Sequence, residues 1–78
     1  MNKILGDVLK NAREAKGLSL DEVALETKIQ KRYLEDLEKE DFEDMPGKVY
    51  ERGFLRTYAE TLGLDVKEVL ELHDEIRG

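Results

Sequence analysis

The sequence predicts an all-α fold, five short helices around one core. Three observations predict it. Apolar residues recur at three- and four-residue intervals in five separate stretches. Two of those stretches open on a capping box, Ser19 with Glu22 and Asp65 with Glu68. No stretch carries the strict apolar-polar alternation of a half-buried strand.

Leu5, Val8, Leu9 and Ala12 predict a first helix from Ile4 to Lys16. Gly17 closes it, with Lys16 in the last turn where a cation suits the helix dipole. Ser19 caps a second helix over Leu20 to Thr27, which turns Leu20, Val23 and Ala24 inward. Lys28 and Ile29 make a tight turn with Ile29 buried. A third helix from Gln30 to Lys39 then buries Leu34 and Leu37 and leaves Tyr33 at the edge. The acidic stretch from Glu40 to Gly47 reads as a loop pinned by Phe42 and Met45.

The fourth helix starts just after Pro46, the single proline, runs from Lys48 to Thr61 and is closed by Gly63. Tyr50, Phe54 and Tyr58 place three of the five Phe and Tyr residues on it. At about 100° per residue, Leu55, Tyr58, Ala59 and Leu62 form a core-facing side. The Tyr58 hydroxyl is expected to reach solvent or a carboxylate. Tyr50, Phe54, Thr57 and Thr61 gather on another side, with Gly53 beside them. A fifth helix follows Asp65, with Val69, Leu70, Leu72 and Ile76 as its apolar side.

Seventy-eight residues make one domain, 1–78, near the lower size limit for a core that holds without staples. The chain has no cysteine, so disulfides, thiolate metal sites and a cysteine nucleophile are excluded, in keeping with a reducing compartment. Charged residues are 41% of the chain and the net charge is −6, but the signs are mixed within helical periods, which reads as solvated helix faces. Apolar runs are too short for a membrane-spanning helix within these residues. The start, Met1 to Asp7, turns acidic too soon for a signal peptide.

The second and third helices, joined by a three- or four-residue turn, form a helix-turn-helix pattern. The run from Arg13 to Ala24, then Thr27-Lys28-Ile29 and Tyr33-Leu34-Glu35, resembles the Cro/CI-type helix-turn-helix of phage repressors. The run from Pro46 to Ala59, followed by Leu62-Gly63-Leu64-Asp65, resembles the N-terminal domain of the RodZ family. That resemblance is the more specific of the two and covers residues 5–73. It implies a Cro/CI-type domain extended by a C-terminal helix pair, lying at the cytoplasmic face of the inner membrane. The tether it implies is a transmembrane helix absent from these residues, so the chain is the soluble part of a longer protein or a short relative. The implied partner is MreB, the bacterial actin homologue, and the implied role is cell-shape control.

Tyr50 and Phe54, spaced i and i+4, are the expected anchors of a protein interface. Gly53 and Thr57 lie beside them, and Lys48, Arg52 and Arg56 are expected as rim cations for an acidic partner. Two blander readings stand next to this one: the aromatics close the small core, and the arginines are plain surface charges.

The alternative function is sequence-specific DNA reading by Gln30, Lys31 and Arg32. Against it, Lys28, Lys31, Arg32 and Lys39 are nearly balanced by Glu35, Asp36 and Glu38. Asp21 and Glu22 also occupy the helix N-terminus where a phosphate would sit.

An enzyme is not expected, nor a metal or cofactor. His73, the single histidine, is expected to be an exposed helix-end residue beside Asp74, and Ser19 has a capping task with no base near it in sequence.

Overall fold

The computed structural model describes residues 4–77; Met1 to Lys3, part of the opening stretch discussed above, and Gly78 lie outside the described residues. Five helices follow in order: α1 Leu5–Ala15, α2 Leu20–Thr27, α3 Lys31–Lys39, α4 Lys48–Leu62 and α5 Val66–Arg77. The chain is all-α over the described residues. Each boundary falls within a residue or two of the one expected from spacing and caps.

The stops between helices share one mechanism. After α1, Gly17 takes φ +69° and Leu18 N–H reaches back to the Arg13 carbonyl at 3.1 Å, satisfying an otherwise orphaned acceptor. Gly63 does the same after α4, with Leu64 N–H on the Ala59 carbonyl at 2.9 Å. Two non-glycine residues also adopt the left-handed conformation, Lys28 after α2 and Glu40 after α3.

Helix starts are more varied. Ser19 and Glu22 close the expected box on α2, with both side-chain-to-backbone bonds near 3 Å: 3.1 Å to the serine oxygen and 3.0 Å to the glutamate. Asp65 accepts the Glu68 N–H at 3.2 Å and starts α5. By contrast, α1 receives no cap from Ile4; its acceptor arrives from Glu40, whose carboxylate takes the Gly6 N–H at 2.8 Å. The cap for the first helix therefore comes from the far end of the third.

The core is built from Leu5, Leu9, Val23, Ile29, Leu34, Leu37, Phe42, Leu55, Tyr58, Ala59, Leu62 and Val69. Leu5 and Leu9 of α1, Leu34 and Leu37 of α3 and the four inward residues of α4 are there, as are the turn residue Ile29 and the loop anchor Phe42. Ala12 of α1 packs against them partly buried, and Val8 is half-buried outside the cluster. Long-range packing centres on α4, which touches each of the other helices. At the crossing of α1 and α3 the backbones nearly meet, because a β-carbon on Gly6 would lie 2.0 Å from the Glu38 carbonyl oxygen.

Two expectations for α5 are corrected. His73 is not an exposed helix-end residue: it is 4% exposed, bonded to the buried Glu51 of α4 and set edge-on to Phe42. Arg77 reaches the same carboxylate with its Nε at 3.2 Å. Ile76, expected inward, is 44% exposed. Its position lies roughly 80° around the helix from the midline of His73 and Arg77, so turning those two toward Glu51 carries Ile76 to the rim.

Candidate functional site

The apolar positions of α4 divide into two faces, one buried in the core and one that reaches the surface. Leu55, Tyr58, Ala59 and Leu62 are buried, joined by Glu51. On another face Tyr50 is 58% exposed and stands next to Phe54, ring centroids 6.1 Å apart and tilted at 48°. Phe54 is half-buried, and what half-buries it is Tyr33 of α3, stacked at 5.4 Å with 25° between planes. The result is an aromatic strip, Tyr50–Phe54–Tyr33, that crosses from α4 to α3. Val49 lies exposed on the same opening turn of α4.

Gly53 sits on the exposed side of α4 with open space where its β-carbon would project. Nothing within the domain requires a glycine there, and an interior glycine costs a helix roughly 1 kcal/mol relative to alanine. Thr57 is half-buried. Lys48, Arg52 and Arg56 are exposed, but helical spacing puts them round the helix from the strip, toward α5. Arg52 is paired with Asp74 there. Lys48 and Arg52 line a cleft of about 290 Å³ between α4 and α5, with Glu51, His73, Asp74 and Arg77. Thus the structure brings Tyr50, Phe54, Gly53 and Thr57 together and sets the expected rim cations of α4 apart from them.

A different cation joins the strip. Arg32, in the first turn of α3, places its guanidinium 4.7 Å from the centre of the Tyr33 ring and donates to the Tyr33 hydroxyl at 2.8 Å. Its neighbour Lys31 faces Asp21 of α2 at 3.3 Å, and Gln30 is the exposed residue that precedes α3. Of the three residues expected on a DNA-reading surface, one is therefore ion-paired and another leans on the aromatic strip. The start of α2, where a phosphate would be received, is closed by its own capping box.

Behind this face the site is braced by polar groups that sequence spacing did not reveal. Arg13 of α1 holds Glu38 of α3 through two nitrogens, at 2.8 and 3.1 Å, and donates to the Leu18 carbonyl at 2.9 Å. Tyr58 of α4, fully buried, donates its hydroxyl to the same Glu38 carboxylate, the carboxylate option foreseen for it. Burial, then the bond to Glu38, push the phenol well above its ordinary range, and the Glu38 carboxylate likewise holds the Arg13 guanidinium firmly charged. Three helices are thereby locked in register beneath the strip. Glu38 stands four residues after the buried Leu34, so a carboxylate on the inner side of α3 was the trace of this network in the sequence; its pairing with α1 and α4 left none.

Comparison with known proteins gives this geometry a family. A model of the helix-turn-helix domain matches residues 8–69. The cytoskeleton protein RodZ of Streptococcus pneumoniae (strain ATCC BAA-255 / R6) is 44% identical over 72 residues, 92% of this chain and 26% of that protein. The chain belongs to the helix-turn-helix domain family, as a RodZ-type member. The uncharacterized membrane protein YmfM of Bacillus subtilis (strain 168) is 48% identical to this RodZ-type domain over 56 residues, 72% of the chain and 19% of that protein. The chain thus spans about a quarter or less of the length of these curated relatives.

Solved structures agree on the fold. A chain from the structure in which bacterial actin MreB assembles in complex with cell shape protein RodZ superposes with a TM-score of 0.88 at 29% identity, covering 94% of this chain and 89% of that one. YmfM of Staphylococcus aureus, described as a putative DNA-binding membrane protein, superposes with a TM-score of 0.86 at 32% identity, again over 94% and 89%. Among the described residues of the RodZ-type domain, no helix is long and apolar enough to cross a membrane.

Proposed function

We propose that this RodZ-type domain is a non-catalytic adaptor that docks on the bacterial actin MreB through α4, acting as a single unit over residues 1–78. A membrane-spanning segment outside these residues holds it at the cytoplasmic face of the inner membrane and couples the filament to cell-shape control. Tyr50 and Phe54 are the anchors, with Gly53 and Thr57 beside them; Lys48, Arg52 and Arg56 lie on the flank toward α5. The observation that carries this reading is the exposure of Tyr50 next to Phe54 on the helix around which the whole core is packed. Large rigid aromatics on a braced helix supply contact area at little entropic cost. The likeness to a chain of the MreB–RodZ structure supports the choice of partner.

DNA reading by Gln30, Lys31 and Arg32 is the weaker alternative, since Lys31 is paired and the capped start of α2 offers no phosphate seat.

The test is co-sedimentation with polymerised MreB. Wild type is expected to pellet with filaments, and Tyr50→Ala to weaken binding by about tenfold or more, an anchor's share of an interface. Phe54→Ala is expected to do likewise, with circular dichroism checking that loss of its stack on Tyr33 leaves the helices formed. A wild-type domain that stays in the supernatant overturns the reading; folded variants that pellet like wild type relocate the site.

A further inference from the structure

The strip that runs from Tyr50 through Phe54 to Tyr33 ends in a charge. Arg32 caps it, hydrogen-bonded to the Tyr33 hydroxyl and lying against the Tyr33 ring. Among the five arginines of the chain, Arg13, Arg52 and Arg77 are each bound to a carboxylate, Glu38, Asp74 and Glu51 respectively. Arg32 has an aromatic hydroxyl in that place and, among the described residues, no carboxylate. Its guanidinium has five N–H donors, of which one is bonded to Tyr33 among the described residues, and the side chain belongs to an exposed residue, so donors remain for a ligand. The stack on Tyr33 fixes its plane beforehand, which lowers the ordering cost of receiving a ligand. Arg56, for which the described residues likewise offer no carboxylate, lies round α4 from the strip.

We infer that Arg32 is the charged contact of the docking strip, and that it receives a carboxylate standing beside an apolar patch on the partner. The inference rests on the adaptor reading and sharpens it. The partner's surface must offer an apolar area for Tyr50 and Phe54 and an Asp or Glu side chain one helix diameter away. It also gives the first turn of α3, which in a DNA reader would face base edges, a protein-directed task.

The experiment is the same co-sedimentation with polymerised MreB, run across a salt series. Arg32→Gln keeps a donor for the Tyr33 hydroxyl and removes the charge. It is expected to weaken binding about tenfold at low salt and to flatten the salt dependence, because an exposed ion pair is screened. Arg32→Lys keeps the charge but not the planar fork and is expected to retain the salt slope at reduced affinity. Lys67→Gln, an exposed charge change on α5, is the control and is expected to bind as wild type. If Tyr50→Ala weakens binding while Arg32→Gln binds with wild-type affinity and salt slope, the inference is overturned and the adaptor reading stands. If wild type does not bind filaments, both fall. If Arg32→Gln instead loses affinity for duplex DNA and none for filaments, the inference is overturned in favour of nucleic acid.

Discussion

Gly6 shows how much one residue can decide in a domain this small. It lies inside a helix, where glycine is disfavoured, and no turn or unusual φ requires it. Its reason is the α1–α3 crossing, where the Glu38 carbonyl oxygen lies 2.0 Å from the place a β-carbon would occupy. Helix propensity alone says Gly6→Ala should stabilise by up to roughly 1 kcal/mol. The crossing says otherwise, since backbone cannot yield as a flexible side chain would. Gly6→Ala is expected to lower unfolding free energy by about 2 kcal/mol or more, read in a urea titration. A stabilised variant would mean that α1 can slide away from α3. Glu51 and His73 make the same point in polar form. Neither would be buried alone; they are buried as a bonded pair, with Arg77 on the outer side of the carboxylate.

At the scale of the element, the two left-handed non-glycine residues look alike in backbone and differ in consequence. Lys28 ends α2 at φ +65° and Glu40 ends α3 at φ +58°. A β-carbon in that conformation costs on the order of 1 kcal/mol. Lys28 is exposed, and its cap needs only the backbone bond from its N–H to the Ala24 carbonyl. Lys28→Gly is therefore expected to stabilise by about 0.5–1 kcal/mol in thermal or urea unfolding. Glu40→Gly relieves the same strain but removes the carboxylate that accepts the Gly6 N–H. It is expected to give no gain, and a net loss of up to about 1 kcal/mol, because the start of α1 loses its acceptor. Were both glycine variants stabilised alike, the Glu40 cap on α1 would carry no weight.

For the whole molecule, the joint of α1, α3 and α4 sets an alkaline limit. Tyr58 is fully buried against Glu38, and its phenol is raised above the ordinary value of 10.0. A folded-state value above the unfolded one means the folded chain holds the proton more tightly. The contribution is fully present below about pH 10 and is lost as pH rises through and beyond that value. Wild type is expected to lose stability above pH 10 more steeply than Tyr58→Phe, by up to about 1.4 kcal/mol per pH unit. Urea midpoints for the two proteins from pH 8 to about pH 11 would show it; parallel curves would mean that Tyr58 ionises without unfolding the joint. The same joint keeps α4 rigid beneath Tyr50 and Phe54, so the proposed anchors stand on a face that does not have to be ordered on binding.

What the amino-acid sequence determined by itself is the part governed by near neighbours. The helix bounds, the stops at Gly17 and Gly63, the Ser19–Glu22 box, the Asp65 cap and the inward positions of α4 all follow from residues a few places apart. Backbone hydrogen bonding and side-chain periodicity act over that range, so spacing suffices to read them. The pairing of exposed Tyr50 with half-buried Phe54 on one face of α4 was legible for the same reason. Tertiary structure alone decided where the charges and long-range acceptors went. It buried His73 with Glu51 across 22 residues, brought Glu40 to Gly6 across 34, and drew Arg13, Glu38 and Tyr58 to one point. It also moved the strip's cation from α4 to Arg32 on α3. The physical reason is that a charged side chain on a long stem takes whichever partner the packed helices deliver, and only the crossing of helices determines which partner that is.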